Sequence, residues 1–130
     1  MILIDQFRYP LMDWELECPA GMPEAGESFR AAAIRELREE VGYRVGSVVE
    51  MGKYASSGGT TNEVARAFLA LDCEYEAGSE SPERDECIVV NRVPVERVAA
   101  FLAVRRSQGQ VINPKMAALA YQFLAEGGGK

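Results

Sequence analysis

Residues 21–43 read GMPEAGESFRAAAIRELREEVGY, a turn-rich segment followed by a helix-forming one. Its first part belongs to a run from Pro19 to Gly26 that is dense in glycine and proline, which reads as a loop. Ser28 then offers an N-cap, Phe29 to Val41 contains no glycine or proline, and Gly42 stands where a left-handed residue ends a helix, so a helix is predicted over 29–41. At about 100° per residue, Glu36, Glu39 and Glu40 share one arc, while Ala33, Ile34, Leu37 and Val41 occupy the neighbouring one. One side is expected to pack and the other to display acids. Like charges at i, i+3 and i, i+4 repel by a few tenths of a kcal/mol per pair, a cost that a bound cation would relieve. Mg²⁺ takes hard oxygen ligands, and three glutamates on adjacent turns supply them. A solvated helix face in which Arg35 pairs with Glu39, and Arg38 offers further partners, accounts for the same charges.

Outward from the helix, Ile2 to Phe7 and Trp14 to Cys18 are predicted strands. Arg44 to Tyr54 and Val64 to Asp72 form a second pair, joined by the glycine-rich loop from Ser56 to Asn62. Glu74, Glu76, Glu80, Glu83, Asp85 and Glu86 crowd an acidic loop against Arg84 alone. Cys87 to Val93 reads as a strand and Pro94 to Arg106 as a helix stopped at Gly109. Asn113 as N-cap and Pro114 at N1 open a last helix, whose apolar face runs through Met116, Leu119, Tyr121, Phe123 and Leu124. Strands with helices between and after them, not in strict alternation, indicate an α+β sandwich. With no repeat and no linker, one domain over 1–130 is the expectation.

Composition excludes several classes. The 20 Asp and Glu against 14 Lys and Arg give a net charge of −6, the wrong sign for tracking nucleic-acid phosphates by charge alone. An anionic substrate would need a cation to help hold it. There is no histidine, and Cys18, Cys73 and Cys87 have no paired spacing, so zinc and histidine-based catalysis drop out. The cysteines read as small core residues in a reducing compartment. No apolar run approaches a membrane span and the first ten residues do not resemble a signal peptide, so a cytoplasmic protein without nucleic-acid or membrane partners is expected.

The spacing Gly21-x5-Glu27-x7-Arg35-Glu36-Leu37-x-Glu39-Glu40-x-Gly42-Tyr43 resembles the Nudix box at every fixed position, with Tyr43 standing where an aliphatic residue is usual. The resemblance implies an α/β/α sandwich around a mixed sheet and an enzyme that hydrolyses a nucleoside diphosphate linked to another moiety, with Mg²⁺ or Mn²⁺ as cofactor. Carried over by position, Glu36, Glu39 and Glu40 are metal ligands, joined by the carbonyl of Ala20. Glu39, Glu40 and Arg35 are catalytic, Arg35 holding a box carboxylate in place, and Glu27 supports helix and loop. Gly21 and Gly42 permit the backbone turns.

Four further stretches resemble the ADP-ribose pyrophosphatase branch: Gln6 to Tyr9, Trp14 to Gly21, Ser57 to Glu63 and Gly109 to Asn113. That likeness implies ADP-ribose or a related nucleotide sugar as substrate, with a nucleoside monophosphate and a sugar phosphate as products. Arg8, Glu17, Gly59 and Glu63 become substrate-binding residues, and a loop carboxylate among Glu83, Asp85 and Glu86, with Glu86 first, acts on the water. Phe7, Tyr9, Trp14 and Tyr54 suit either a base-stacking role or the core. Two departures are visible. Gly58 replaces a usual proline, and the tens of residues that usually precede the Gln-Phe-Arg segment are not in this sequence, which separates pyrophosphohydrolysis from ADP-ribose specificity. A homodimer is expected, because Met1 to Phe7 would otherwise leave an apolar edge exposed. The alternatives are a non-catalytic nucleotide-binding or regulatory module on the same fold, or a Nudix hydrolase of another nucleotide.

Overall fold

The computed structural model describes residues 1–80 and 87–128, which group into two units, residues 1–18 with 87–128 and residues 19–80. In chain order the elements are β1 (Ile2–Arg8), β2 (Asp13–Glu17), α1 (Phe29–Val41), β3 (Tyr43–Arg44), β4 (Ser47–Ala55), β5 (Val64–Leu71), β6 (Glu74–Tyr75), β7 (Ile88–Arg92), α2 (Val98–Ser107), β8 (Val111–Ile112) and α3 (Pro114–Ala125). Among the described residues no helix is long and apolar enough to cross a membrane.

In the first unit the strands order as β7-β1-β2-β8. β1 runs antiparallel to both β2 and β7, whereas β2 is parallel to β8, so the sheet is mixed as expected. Leu3, Leu16 and Val93 pack against Val98 and Leu102 of α2 and Met116 and Ala120 of α3, the hydrophobic centre of this unit. A polar clasp completes it. Buried Asp5 accepts hydrogen bonds from Arg105 Nη2 at 2.8 Å, from Asn91 Nδ2 at 2.9 Å and from the Gln110 amide, joining β1, β7, α2 and the turn after α2. A buried carboxylate demands such pairing.

In the second unit, Ser28 Oγ accepts from Ala31 N at 3.1 Å and starts α1, and Gly42 at φ 73° ends it by donating to Arg38 O at 2.9 Å. β4 and β5 form a hairpin with a bulge between Glu50 and Gly52. β3 pairs with β6, Tyr43 opposite Tyr75, with their ring centroids 5.4 Å apart.

Several expectations are corrected. The strand predicted from Arg44 to Tyr54 is two strands, because Tyr43–Arg44 pairs with β6 and the chain then changes partner at Gly46, whose N–H donates to Leu71 O at 3.2 Å. The helix predicted from Pro94 begins as a 3₁₀ turn over Val95–Arg97, closed by Arg97 N on Pro94 O at 2.9 Å. Tyr121 is exposed while its neighbour Ala120 is buried in the core. Cys18 packs on the core, and burial pushes its thiol up to about 12, but Cys87 is exposed and is not a core residue.

Two measurements check this architecture. Gly42→Ala places a Cβ 2.6 Å from Glu80 Oε1 at a left-handed backbone position, so a loss of about 1 kcal/mol or more is expected in urea unfolding. Iodoacetamide at pH 8 is expected to alkylate Cys87 in the native protein and to spare Cys18, with mass spectrometry of the peptides as readout.

Candidate active site

The loop before α1 lies against the acid-bearing side of the helix. Ala20 N donates to Glu40 Oε2 at 3.0 Å, and Glu40 is only 4% exposed. One turn earlier the Glu36 carboxylate occupies the space where Gly21 would carry a Cβ, so any larger residue there displaces it. The loop therefore inverts part of the amphipathic expectation: Ala32, Glu40 and Val41 are the buried residues of α1, and Ile34 is exposed. A helix face reads as solvated when its covering is a distant loop that sequence periodicity does not see.

Arg35 organises the acids. Its Nε and Nη2 donate to Glu27 Oε1 and Oε2 at 3.2 and 3.0 Å, and Nη2 also donates to Met22 O at 3.1 Å. Nη1 donates to Glu36 Oε1 and to Glu39 Oε2, both at 2.9 Å. All five N–H directions of the guanidinium are used. Its pKa is raised, chiefly by Glu27 and then by Glu39 and Glu36, and the bonds from Arg35 hold the Glu27 carboxyl below its ordinary range. Both directions favour the charged forms. Arg35 and Glu39 also line an open cleft with Ile34, Arg38 and Ser79.

The donors here are carboxylates and, in the adjoining loop, backbone carbonyls, the oxygen set that Mg²⁺ or Mn²⁺ takes, and the glycine-shaped space at Gly21 holds one of them in place. The chemistry fits a hard divalent cation. Among the described residues, however, no three acids converge in metal-holding geometry, because Glu36 and Glu39 turn to Arg35 and Glu40 turns to the Ala20 N–H. Sequence reasoning assigned Ala20 by its carbonyl and missed its amide, which no side-chain pattern signals.

The remaining residues sit within their own units. On the first sheet, Arg8 forks onto Glu17 through Nε and Nη2, each at 2.8 Å, with Glu15 at 3.8 Å. Burial raises the pKa of Glu17, with Arg8 opposing the shift. Glu15, which the motif reading did not single out, accepts from Asn113 Nδ2 at 3.1 Å and ties β2 to the cap of α3. Phe7 makes edge-on contacts with Tyr9 and Trp14, and both of those partners are exposed. In the second unit, Gly59 and Glu63 belong to the β4–β5 loop, where Thr60 N and Thr61 N both donate to Ser57 O at 2.9 Å and the Ser56 hydroxyl donates to Glu63. Glu83, Asp85 and Glu86, the candidate loop carboxylates, lie outside the described residues.

Comparison with known proteins bears on the same residues. The chain is 30% identical over 124 residues to an ADP-ribose pyrophosphatase of Bacillus subtilis, a match spanning 95% of this chain and 64% of that protein. It is 26% identical over 124 residues to the methanol dehydrogenase activator of Bacillus methanolicus, again across 64% of the relative's length. The chain thus spans under two thirds of either curated relative. A solved structure described as an ADP compounds hydrolase superposes with a TM-score of 0.77 at 24% identity, covering 99% of this chain and 68% of the other, and so shares its fold. The NUDIX domain model matches residues 1–113, taking in the glycines, arginine and glutamates whose contacts are described above, and the chain belongs to the Nudix family.

Proposed function

We propose that this protein is a divalent-metal-dependent pyrophosphohydrolase that cleaves the diphosphate of ADP-ribose or a related nucleotide sugar, releasing a nucleoside monophosphate and a sugar phosphate. The observation that carries the reading is the joint placement of the box residues. Arg35 gathers Glu27, Glu36 and Glu39, and the loop amide of Ala20 holds Glu40. The named activities of the Bacillus subtilis relative and of the fold neighbour support the same class of substrate.

In this reading Glu36, Glu39, Glu40 and the Ala20 carbonyl hold Mg²⁺, with Mn²⁺ as a substitute. The chemistry supplied there is neutralisation of the diphosphate and activation of water for attack on phosphorus. The chain does the rest. Arg35 holds Glu36 and Glu39 close, Glu27 fixes Arg35 on the loop, and Gly21 leaves room for Glu36. Arg8 and Glu17, with Gly59 and Glu63, contact substrate, and Glu86 serves as the loop carboxylate that orients or deprotonates the water. A reducing cytoplasm is in keeping with the free cysteines, whereas β1, paired with β2 on one side and β7 on the other, leaves no open edge at Met1 to Phe7 of the kind on which a homodimer was expected.

A panel of ADP-ribose, other nucleotide sugars, dinucleoside polyphosphates and nucleoside triphosphates, assayed with Mg²⁺ for released monophosphate, tests it. ADP-ribose is expected to lead and EDTA to abolish turnover. Another leading substrate keeps the chemistry and removes the specificity, whereas no turnover at all favours a binding module on the same fold. Glu40→Gln keeps an acceptor for Ala20 N, so the circular dichroism spectrum is expected to persist while kcat falls by orders of magnitude. Gly21→Ala pushes only the flexible end of Glu36, so Tm is expected to stay within about 2 °C while the Mg²⁺ concentration needed for half-maximal rate rises.

A further inference from the structure

The two faces of the first sheet carry different chemistry. Leu3 and Leu16 lie on the side that α2 and α3 cover, so by alternation Arg8, Glu15 and Glu17 share the opposite face. From the end of β1 the Arg8 side chain leans back along β2 and forks onto Glu17 through Nε and Nη2, each at 2.8 Å. Such a fork is enough to place a planar guanidinium. Glu15 stands beside it, with Oε2 at 3.8 Å from Arg8 Nε, beyond hydrogen-bond reach but well within reach of charge. That carboxylate is fixed from its other side. Its Oε1 accepts from Asn113 Nδ2 at 3.1 Å, Asn113 N donates to Leu16 O at 2.9 Å, and the Asn113 side chain caps α3 by accepting from Lys115 N and Met116 N. A glutamine at position 15 would serve Asn113 equally well, so the tie between β2 and α3 does not explain why an acid is there. The Lys115 ammonium acts on Glu17 through its charge, and thus two bases and two acids meet on this face among the described residues.

We propose that Glu15 is a specificity residue: its fixed charge offsets the cations Arg8 and Lys115, so that this face accepts the diphosphate of a nucleotide sugar and disfavours the more highly charged chain of a nucleoside triphosphate. The inference deepens the reading above and rests on Arg8 as a substrate contact. A carboxylate beside an arginine weakens the pull of that arginine on any anion, in proportion to the charge the anion carries. The penalty is small for the preferred ligand and larger for its competitor, which is how repulsion sorts two otherwise similar partners. Because Asn113 holds Glu15 in place, the carboxylate cannot easily swing aside to let the extra charge in. Its side chain is 15% exposed, so water screens it only in part.

Calorimetric titration of the full chain, at one fixed concentration of free Mg²⁺, compares two non-hydrolysable ligands, α,β-methylene ADP-ribose and α,β-methylene ATP. Glu15→Gln keeps an acceptor for Asn113 Nδ2 and removes the charge. In this variant the dissociation constant of the triphosphate is expected to fall about fivefold to twentyfold, and that of the nucleotide sugar by less than about threefold. Its Tm is expected to stay within about 2 °C of the wild type. A purely structural tie would weaken both ligands or leave both unchanged; either result overturns the proposal, and so does equal tightening of the two. Lys115→Gln covers the case in which Glu15→Gln does not fold. It removes a charge of opposite sign, so the triphosphate is expected to lose more affinity than the nucleotide sugar, and an equal or absent loss overturns the charge balance. If the wild type binds neither analogue, this inference falls. Turnover of ADP-ribose by the same preparation then leaves the hydrolase reading standing, whereas no turnover removes both.

Discussion

One guanidinium sets the terms for the second unit. Glu27, Glu36 and Glu39 all contact Arg35, and without that charge three carboxylates would face one another across a helix and a loop. The contacts are not equal. Glu27 and Glu36 have side chains 16% and 17% exposed, so their pairing with Arg35 is less screened by water than that of Glu39 at 39%. Arg35 thus works as a strut between loop and helix at its sheltered end and as a surface ion pair at its open end.

The rest of the loop depends on that strut. Arg35 Nη2 on Met22 O and Ala20 N on Glu40 bracket Gly21, so the backbone must pass close to the Glu36 carboxylate between two fixed points. A Cβ there would push the Glu36 carboxylate aside. At the far end of α1, Gly42 closes the helix, and its carbonyl accepts from Glu76 N at 2.8 Å as the chain enters β3. Loop, helix and following strand therefore form one device, with each fixed residue satisfying a different steric or electrostatic demand.

The first unit manages its acids by a different rule. Asp5 and Glu17 are both buried, and each is matched by one arginine, Arg105 and Arg8, with side chains 26% and 37% exposed. Burial raises the pKa of Glu17, and Arg8 opposes the shift. Arg8 reaches Glu15 as well, at 3.8 Å, and Asp5 also accepts from Asn91 and Gln110, so both acids tie neighbouring elements of the sheet together. Three acids meet one base at Arg35, which leaves net negative charge there.

What the sequence made legible follows from how local the signals are. Ser28, Gly42, Asn113 and Pro114 act on the residues beside them, and the bounds of α1 and the start of α3 agree with the reading from residue type alone. The box spacing set Arg35 one turn from Glu39 and beside Glu36, and the structure joins them by hydrogen bonds. Partner switching at Gly46, the two-residue pairings of β3, β6 and β8, and the burial of Glu40 depend on segments distant in the chain, which no window of a dozen residues contains. The exposure of Ile34 is the instructive miss. Periodicity ranks side chains by hydrophobicity and assigns the most apolar arc to the interior, but the Ala20 amide, the Gly21 gap and the Arg35 fork cover the acidic arc instead. Hydrogen bonds from the preceding loop thus shelter part of an arc that hydrophobicity alone would leave to water.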